Sequence, residues 1–264
     1  MRIRPSVTFL AGMLVLSPMA SALAAEPAQM PKETPIGTRI PKSIDLFPID
    51  NARPILTAFG ECAAKSNPAL ARDFILHDLN YRLGISERFK SLASPGCLTQ
   101  AIQGTPYGMV RLEMTSAVLR YAIADALIRS DLATFDPDVI RFAAPLAELK
   151  IEPGVGEAKS LGQSELDRAA KALATANSDL ALFTYGECIV RAAPAKTKAL
   201  LSTKVNSTEE GDGLANLMPD FRGCLDKGQQ FRANRLILRG VVAYNYYRLA
   251  YAPRVQSRLT ADQH

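Results

Sequence analysis

Histidine is nearly missing from this chain: 264 residues hold two, His77 and His264, and tryptophan is absent. A His-Glu-x-x-His zinc helix is thereby excluded, and a Ser-His-Asp triad has neither a choice of rings nor a Gly-x-Ser-x-Gly turn to present its serine. No Gly-x-x-x-x-Gly-Lys phosphate loop is present, and no lysine closes a Ser-x-x-Lys motif. Gly154-Val155-Gly156 lacks the third glycine and the preceding strand of a dinucleotide site. There is no Cys-x-x-Cys, and the one histidine near a cysteine in sequence, His77, stands alone, so no metal site and no cofactor are expected. On a helical apolar pattern His77 reads as a partly buried structural residue. Sustained two-residue alternation with β-branched enrichment is also lacking, which argues against sheet.

One sign of charge barely exceeds the other. The formal charge is +5, and the positive residues are scattered rather than gathered in a stripe, so the footprint of a nucleic-acid binder is missing. Beyond the N-terminus no apolar run reaches the ~20 residues of a membrane span. Residues 1–24 read as a signal peptide. Arg2 and Arg4 form the positive end, Val7 to Met19 the apolar run, and Ser21-Ala22-Leu23-Ala24-Ala25 the small-residue site, with cleavage after Ala24. Cleavage removes two arginines and no acid, leaving +3. The mature chain is expected to be secreted, with no membrane span.

What remains is globular in composition, with 48% hydrophobic and 22% charged residues. Residues 25–48 carry Pro27, Pro31, Pro35, Pro41 and Pro48 and read as an extended, disordered leader. From there the apolar period is helical. Ile55, Phe59, Cys62 and Ala63 share a face of a first helix ending before Ser66-Asn67-Pro68. Leu70, Phe74 and Ile75 mark a second, opened by Pro68. Ser86 to Phe89 begin a short capped helix closed by a Pro95-Gly96 turn. Val110, Met114, Ala117, Val118, Tyr121, Asp125 and Ile128 mark a long fourth helix. A helix is expected after Asp136-Pro137-Asp138, an alanine-rich one over Ser164–Ala176, and a last one over 232–250. Residues 203–213 read as a solvated loop.

The four cysteines, Cys62, Cys97, Cys188 and Cys224, fall inside a repeated pattern. Phe59-Gly60-Glu61-Cys62 is echoed by Tyr185-Gly186-Glu187-Cys188 at an offset of 126, as are Pro68-Ala69 by Pro194-Ala195 and Phe74-Ile75 by Leu200-Leu201. Cys97-Leu98 matches Cys224-Leu225 at an offset of 127, and Val118-Leu119-Arg120 resembles Ile237-Leu238-Arg239. Order and near-spacing of three motifs are kept, which reads as a duplicated unit. An even cysteine count in an exported chain reads as disulfides, and four cysteines allow three pairings. Duplication favours Cys62–Cys97 and Cys188–Cys224. Cross-pairing between the halves is the rival. The expected fold is all-α: repeat unit 49–130, connector 131–176, repeat unit 177–252 and tail 253–264.

Two constellations are candidates for function. Each copy keeps a glutamate and a later arginine, which predicts buried ion pairs Glu61–Arg120 and Glu187–Arg239 between first and last helices. The same two glutamates are the candidate acids of an envelope glycan hydrolase, since glycoside cleavage needs two carboxyl groups. A site recurring in both copies fits scaffold better than catalysis, so no catalytic residue is assigned. The second constellation is Tyr244, Tyr247 and Tyr251 on one helical side beside Arg248. It is a candidate binding surface for anionic or carbohydrate partners, although packing against other helices, hydroxyls at the edge, is the preferred reading.

The doubled pattern Gly-Glu-Cys, Cys-Leu, Leu-Arg resembles a set of uncharacterised secreted bacterial helical proteins over most of residues 55–250. That resemblance implies a periplasmic location and carries no activity. The expectation is a non-catalytic binding or interaction protein of the bacterial envelope, with an unknown envelope protein or glycan as partner. A folding accessory would instead need an exposed apolar groove between the units.

Overall fold

The helical period becomes eight α-helices in a computed structural model, which describes residues 49–81, 84–103, 105, 114–151, 162–225 and 233–261. All fall in one compact unit, Leu46–His264. Residues 1–48, expected to be signal peptide and leader, lie outside the described residues. The helices are α1 Ile49–Ser66, α2 Pro68–Leu76, α3 Pro95–Ile102, α4 Ser116–Asp131, α5 Gln163–Ala192, α6 Pro194–Leu201, α7 Thr208–Gly223 and α8 Arg235–Ala261. Two-residue strands β1 (Asn80–Tyr81) and β2 (Lys150–Ile151) pair in parallel and tie the connector to the first half.

Local chemistry sets the helix ends. Asn67 accepts the Leu70 N–H and Pro68 takes the first position of α2, so the chain turns sharply after α1 without an orphaned donor. Thr115 accepts the Val118 N–H to open α4, and Asn234 accepts the Ile237 N–H to open α8. Those two caps stand at matched positions, 119 residues apart, the offset that also relates Arg120 to Arg239.

α4 and α8 form the centre and pack most extensively on each other, with α1 against α4 and α5 against α8. The Gly-Glu-Cys motif explains the approach of these outer helices. A Cβ on Gly60 would lie 2.3 Å from the Ala122 carbonyl oxygen of α4, and one on Gly186 would lie 2.3 Å from Val241 Cγ1 of α8. Ala122 and Val241 also stand 119 residues apart, so the two halves use the same contact. At the α4/α8 crossing, Gly240 leaves room for the Tyr121 ring. Disulfides join Cys62 to Cys97, fastening α3 to α1, and Cys188 to Cys224, fastening the end of α7 to α5.

Several sequence expectations are corrected. Pro95-Gly96 opens α3 rather than closing a turn, because Ser94 caps the Gly96 N–H. Glu87–Ala93 and Pro137–Phe142 are 3₁₀ turns. The alanine-rich helix and the Gly-Glu-Cys helix are one helix, α5, since nothing between 163 and 185 breaks it; the boundary at 176/177 falls inside it. Most of the expected loop 203–213 is the first turns of α7, which Ser207 opens by accepting the Glu210 N–H. The acids there favour the positive end of a helix, and Glu210 is fully buried.

Candidate functional site

The expected pairs Glu61–Arg120 and Glu187–Arg239 are not formed. Arg120 is buried and turns to the end of α2, donating to the Phe74 carbonyl at 2.8 Å and to Asp78 Oδ2 at 2.7 Å. Arg239 does the same for α6, donating to the carbonyls of Leu200, Leu201 and Thr203, each at 3.1 Å. Phe74 and Leu200 are matched at the 126 offset. The physical reason is the same in both halves. The last carbonyls of a helix have no donor within it, and a guanidinium supplies several N–H groups and a positive charge where the helix end is negative.

Arg239 also reaches Asp125 Oδ1 at 3.0 Å and Glu210 Oε1 at 3.3 Å. Glu210 pairs with Arg53, and Arg53 donates to Asn206 Oδ1 at 2.7 Å. From Asp125 the chain continues to Arg129 at 2.5 Å and on to Glu61 at 2.9 Å. Charges alternate along this whole series, so no buried carboxylate is left uncompensated. Sequence reasoning missed Arg53, Asp78 and Glu210. For Asp125 the signal was present, an acid inside the apolar stripe of α4.

Glu187 sits in a different setting. It accepts from Arg191, one turn on, at 2.7 Å and from the Leu146 backbone N–H at 3.2 Å. His77 is exposed beside Asp73, 3.3 Å away, rather than partly buried; its backbone N–H closes α2.

The tyrosine side of α8 is not a surface. Tyr244 and Tyr247 are fully buried, Arg248 is buried, and Tyr251 is half-buried. Packing against neighbouring helices is what the structure shows, with one difference from the expected form: the hydroxyls are interior. Tyr247 donates to Asp131 Oδ2 at 2.7 Å. The buried hydroxyls of Tyr121, Tyr244 and Tyr246 have no hydrogen-bond partner among the described residues. The Tyr244 ring packs on Phe183 at a tilt of 46° and lies under the Arg248 guanidinium, and burial with the nearby Asp136 pushes Tyr246 up to about 12.

No groove is seen between the halves among the described residues. Where they meet, α4 and α8 are packed, and the hollow beside Arg53 and Arg239 measures about 30 Å³, room for one or two waters. Among the described residues no group of three or more His, Cys, Asp or Glu side chains is placed to hold a metal ion, and no helix is long and apolar enough to cross a membrane.

Two larger hollows lie at the surface, both within the size range of ligand sites. One, about 510 Å³, is bounded by α1, α2 and α4 and lined by Glu61, Lys65, Arg72, Arg129, Ser130 and Asp131. The other, about 410 Å³, lies between α5, α8 and the connector segment 145–149, with Glu187, Asn245 and Arg248 in its walls. Glu61 and Glu187 thus face separate hollows. In the first, Arg72 grips both oxygens of Asp131, at 2.8 and 2.9 Å. Burial acts to raise the Asp131 carboxyl, but the bonds from Arg72, Tyr247 and Ser130 win and hold it below its ordinary value. Lys65 is exposed and has no partner among the described residues.

The chain matches no family model, no curated protein and no solved structure. The functional reading therefore rests on these two hollows and on the chemistry of their walls.

Proposed function

We propose that this chain is an exported, non-catalytic interaction protein of the bacterial envelope, with a periplasmic location and an envelope protein as its partner. The observation that carries the reading is the state of the candidate acids. Glu61 is answered by Arg129 and Glu187 by Arg191, and they face different hollows. A glycosidase needs two carboxyl groups flanking one bond, one of them kept protonated by its surroundings. Asp131, the other acid of the larger hollow, is held as a carboxylate by Arg72, the opposite of a general acid.

Export is supported by the N-terminal signal pattern and by two disulfides, which persist in oxidising compartments. The duplicated motifs and the resemblance to secreted helical proteins agree with that placement, and the matched contacts of the two halves support an origin by duplication. The weak net charge gives no reason to include nucleic acid among the partners.

The test has two arms. Cell fractionation with thiol labelling is expected to find the chain in the periplasm with all four cysteines blocked; a chain retained in the cytoplasm with free thiols would overturn export. The mature protein, incubated with peptidoglycan, is expected to release no soluble fragments. Release that disappears in Glu61→Gln or Glu187→Gln would establish the hydrolase instead.

A further inference from the structure

The place in the second half that matches the hollow of α1, α2 and α4 is already occupied by a stretch of this chain: Arg191 and Lys198, the counterparts of Lys65 and Arg72, both donate to carbonyls of the connector. At the 126 offset Glu61 corresponds to Glu187 and Lys65 to Arg191; at the 119 offset Arg129 corresponds to Arg248. In the second half these three side chains grip a backbone. Arg191 donates to the carbonyls of Ala143 and Ala144, both at 2.7 Å. Glu187 accepts the Leu146 N–H at 3.2 Å, and Arg248 donates to the Ala147 carbonyl at 2.7 Å. Ala143, at φ −63 and ψ 145, is extended in the polyproline manner, and Pro145 fixes the backbone two residues on.

In the first half no described segment lies across the matching place. Glu61 and Arg129 close on each other at 2.9 Å, and Lys65 points to solvent unpaired among the described residues. We propose that this cleft of α1, α2 and α4 binds an extended segment of another exported polypeptide, held by its backbone as residues 143–147 are held in the second half. The proposal rests on the reading of the chain as an interaction protein and names its ligand class.

The exchange is chemically balanced. The Glu61–Arg129 pair is half exposed, 55% and 35%, and such pairs add little to stability, so opening it is undemanding. Once open, Glu61 accepts a peptide N–H, Arg129 donates to the next carbonyl, and Lys65 takes a carbonyl upstream. Arg129 keeps its second partner, Asp125, throughout. Arg72 contributes no grip, being locked on Asp131. The segment seated in the second half, Ala-Ala-Pro-Leu-Ala, indicates the ligand: small apolar side chains that let the backbone approach, and a proline that lessens the ordering cost.

The test uses the mature chain with both disulfides intact and a fluorescein-labelled peptide, Ala-Ala-Pro-Leu-Ala-Glu-Leu, followed by anisotropy. Saturable binding tighter than about 1 mM is expected. It should weaken by about tenfold or more in Lys65→Glu and in Glu61→Lys, and stay unchanged in Lys171→Glu, an exposed change on α5. Circular dichroism of each variant checks that it folds. No binding at about 1 mM, or binding indifferent to Lys65→Glu, overturns the proposal. Binding lost in Arg191→Glu but kept in Lys65→Glu would place the peptide in the second half, displacing the connector, and also overturns it. Self-association of the protein that Lys65→Glu abolishes would put a second copy of this chain in the cleft and would overturn it as well. None of these outcomes touches the reading of the chain as exported and non-catalytic, which the thiol and peptidoglycan arms decide separately.

Discussion

A single methyl group has opposite consequences at three glycines. Gly60→Ala would push a Cβ to 2.3 Å from the Ala122 carbonyl oxygen, and Gly186→Ala would meet Val241 Cγ1 at 2.3 Å and its carbonyl at 2.8 Å. Backbone cannot give way cheaply, so each is expected to lower unfolding free energy by about 1–3 kcal/mol. Gly211, inside α7, has nothing within 4 Å of such a Cβ. Gly211→Ala should gain about 0.5–1 kcal/mol by helix propensity. Urea unfolding of the three variants checks the signs. The residue scale also holds a pH dependence. Burial pushes the Asp179 carboxyl above its ordinary value, against the bond it accepts from Tyr81. A raised acid favours the folded state when protonated. Its contribution is full below the unfolded value of about 3.9 and is lost as pH rises through the folded one. Midpoints followed upward from about pH 4 should therefore fall more in the wild type than in Asp179→Asn. An equal slope in both would remove Asp179 as the cause.

At the scale of elements, the arginine at the start of each half's last helix closes that half's second helix. α2 and α6 span nine and eight residues, too short to persist without tertiary support. Arg120→Ala removes the donor to Phe74 and strands Asp78, whereas Arg239→Ala removes three carbonyl contacts and takes one of two partners from both Asp125 and Glu210, which keep Arg129 and Arg53. Breaking a buried pair typically costs about 3–5 kcal/mol. Arg239→Ala is expected at or beyond the upper end and Arg120→Ala near the lower. Denaturant midpoints at unchanged slope would show it, and an equal loss in both would contradict the partner assignment. These arginines stood out in the sequence as recurring, but their partners did not. A sequence pattern shows which positions share a helix face, and helix-end carbonyls, which belong to every residue type, leave no mark in it. The same blindness turned the acids of 208–213 into a loop: their value lies in the field of the helix they begin, and Glu210 is buried only because Arg53 and Arg239 arrive from distant segments.

For the molecule as a whole, the all-α architecture was legible because periodicity and proline placement are local signals. The cleft was not, because it exists only where three helices end near one another. The two cross-links were expected from the repeat, and their mechanical roles differ in a way spacing does not reveal. They span nearly equal stretches, 35 and 36 residues, so the chain-entropy model assigns each about 3–4 kcal/mol. Yet α3 packs chiefly on α1, the helix to which Cys62–Cys97 fastens it, while α7 packs on α6, α5 and α8 and is held besides by Glu210. Cys62→Ala with Cys97→Ala should therefore release α3 as a local unit, and Cys188→Ala with Cys224→Ala should weaken the fold without freeing α7. Native-state hydrogen exchange separates the two cases. Amides of Pro95–Ile102 are expected to lose most of their protection in the first double variant, whereas those of Thr208–Gly223 should fall only as far as global stability does. Protection lost selectively in α7 instead would mean that its contacts with α6 and the buried glutamate do not hold it, and that the disulfide alone secures the second half.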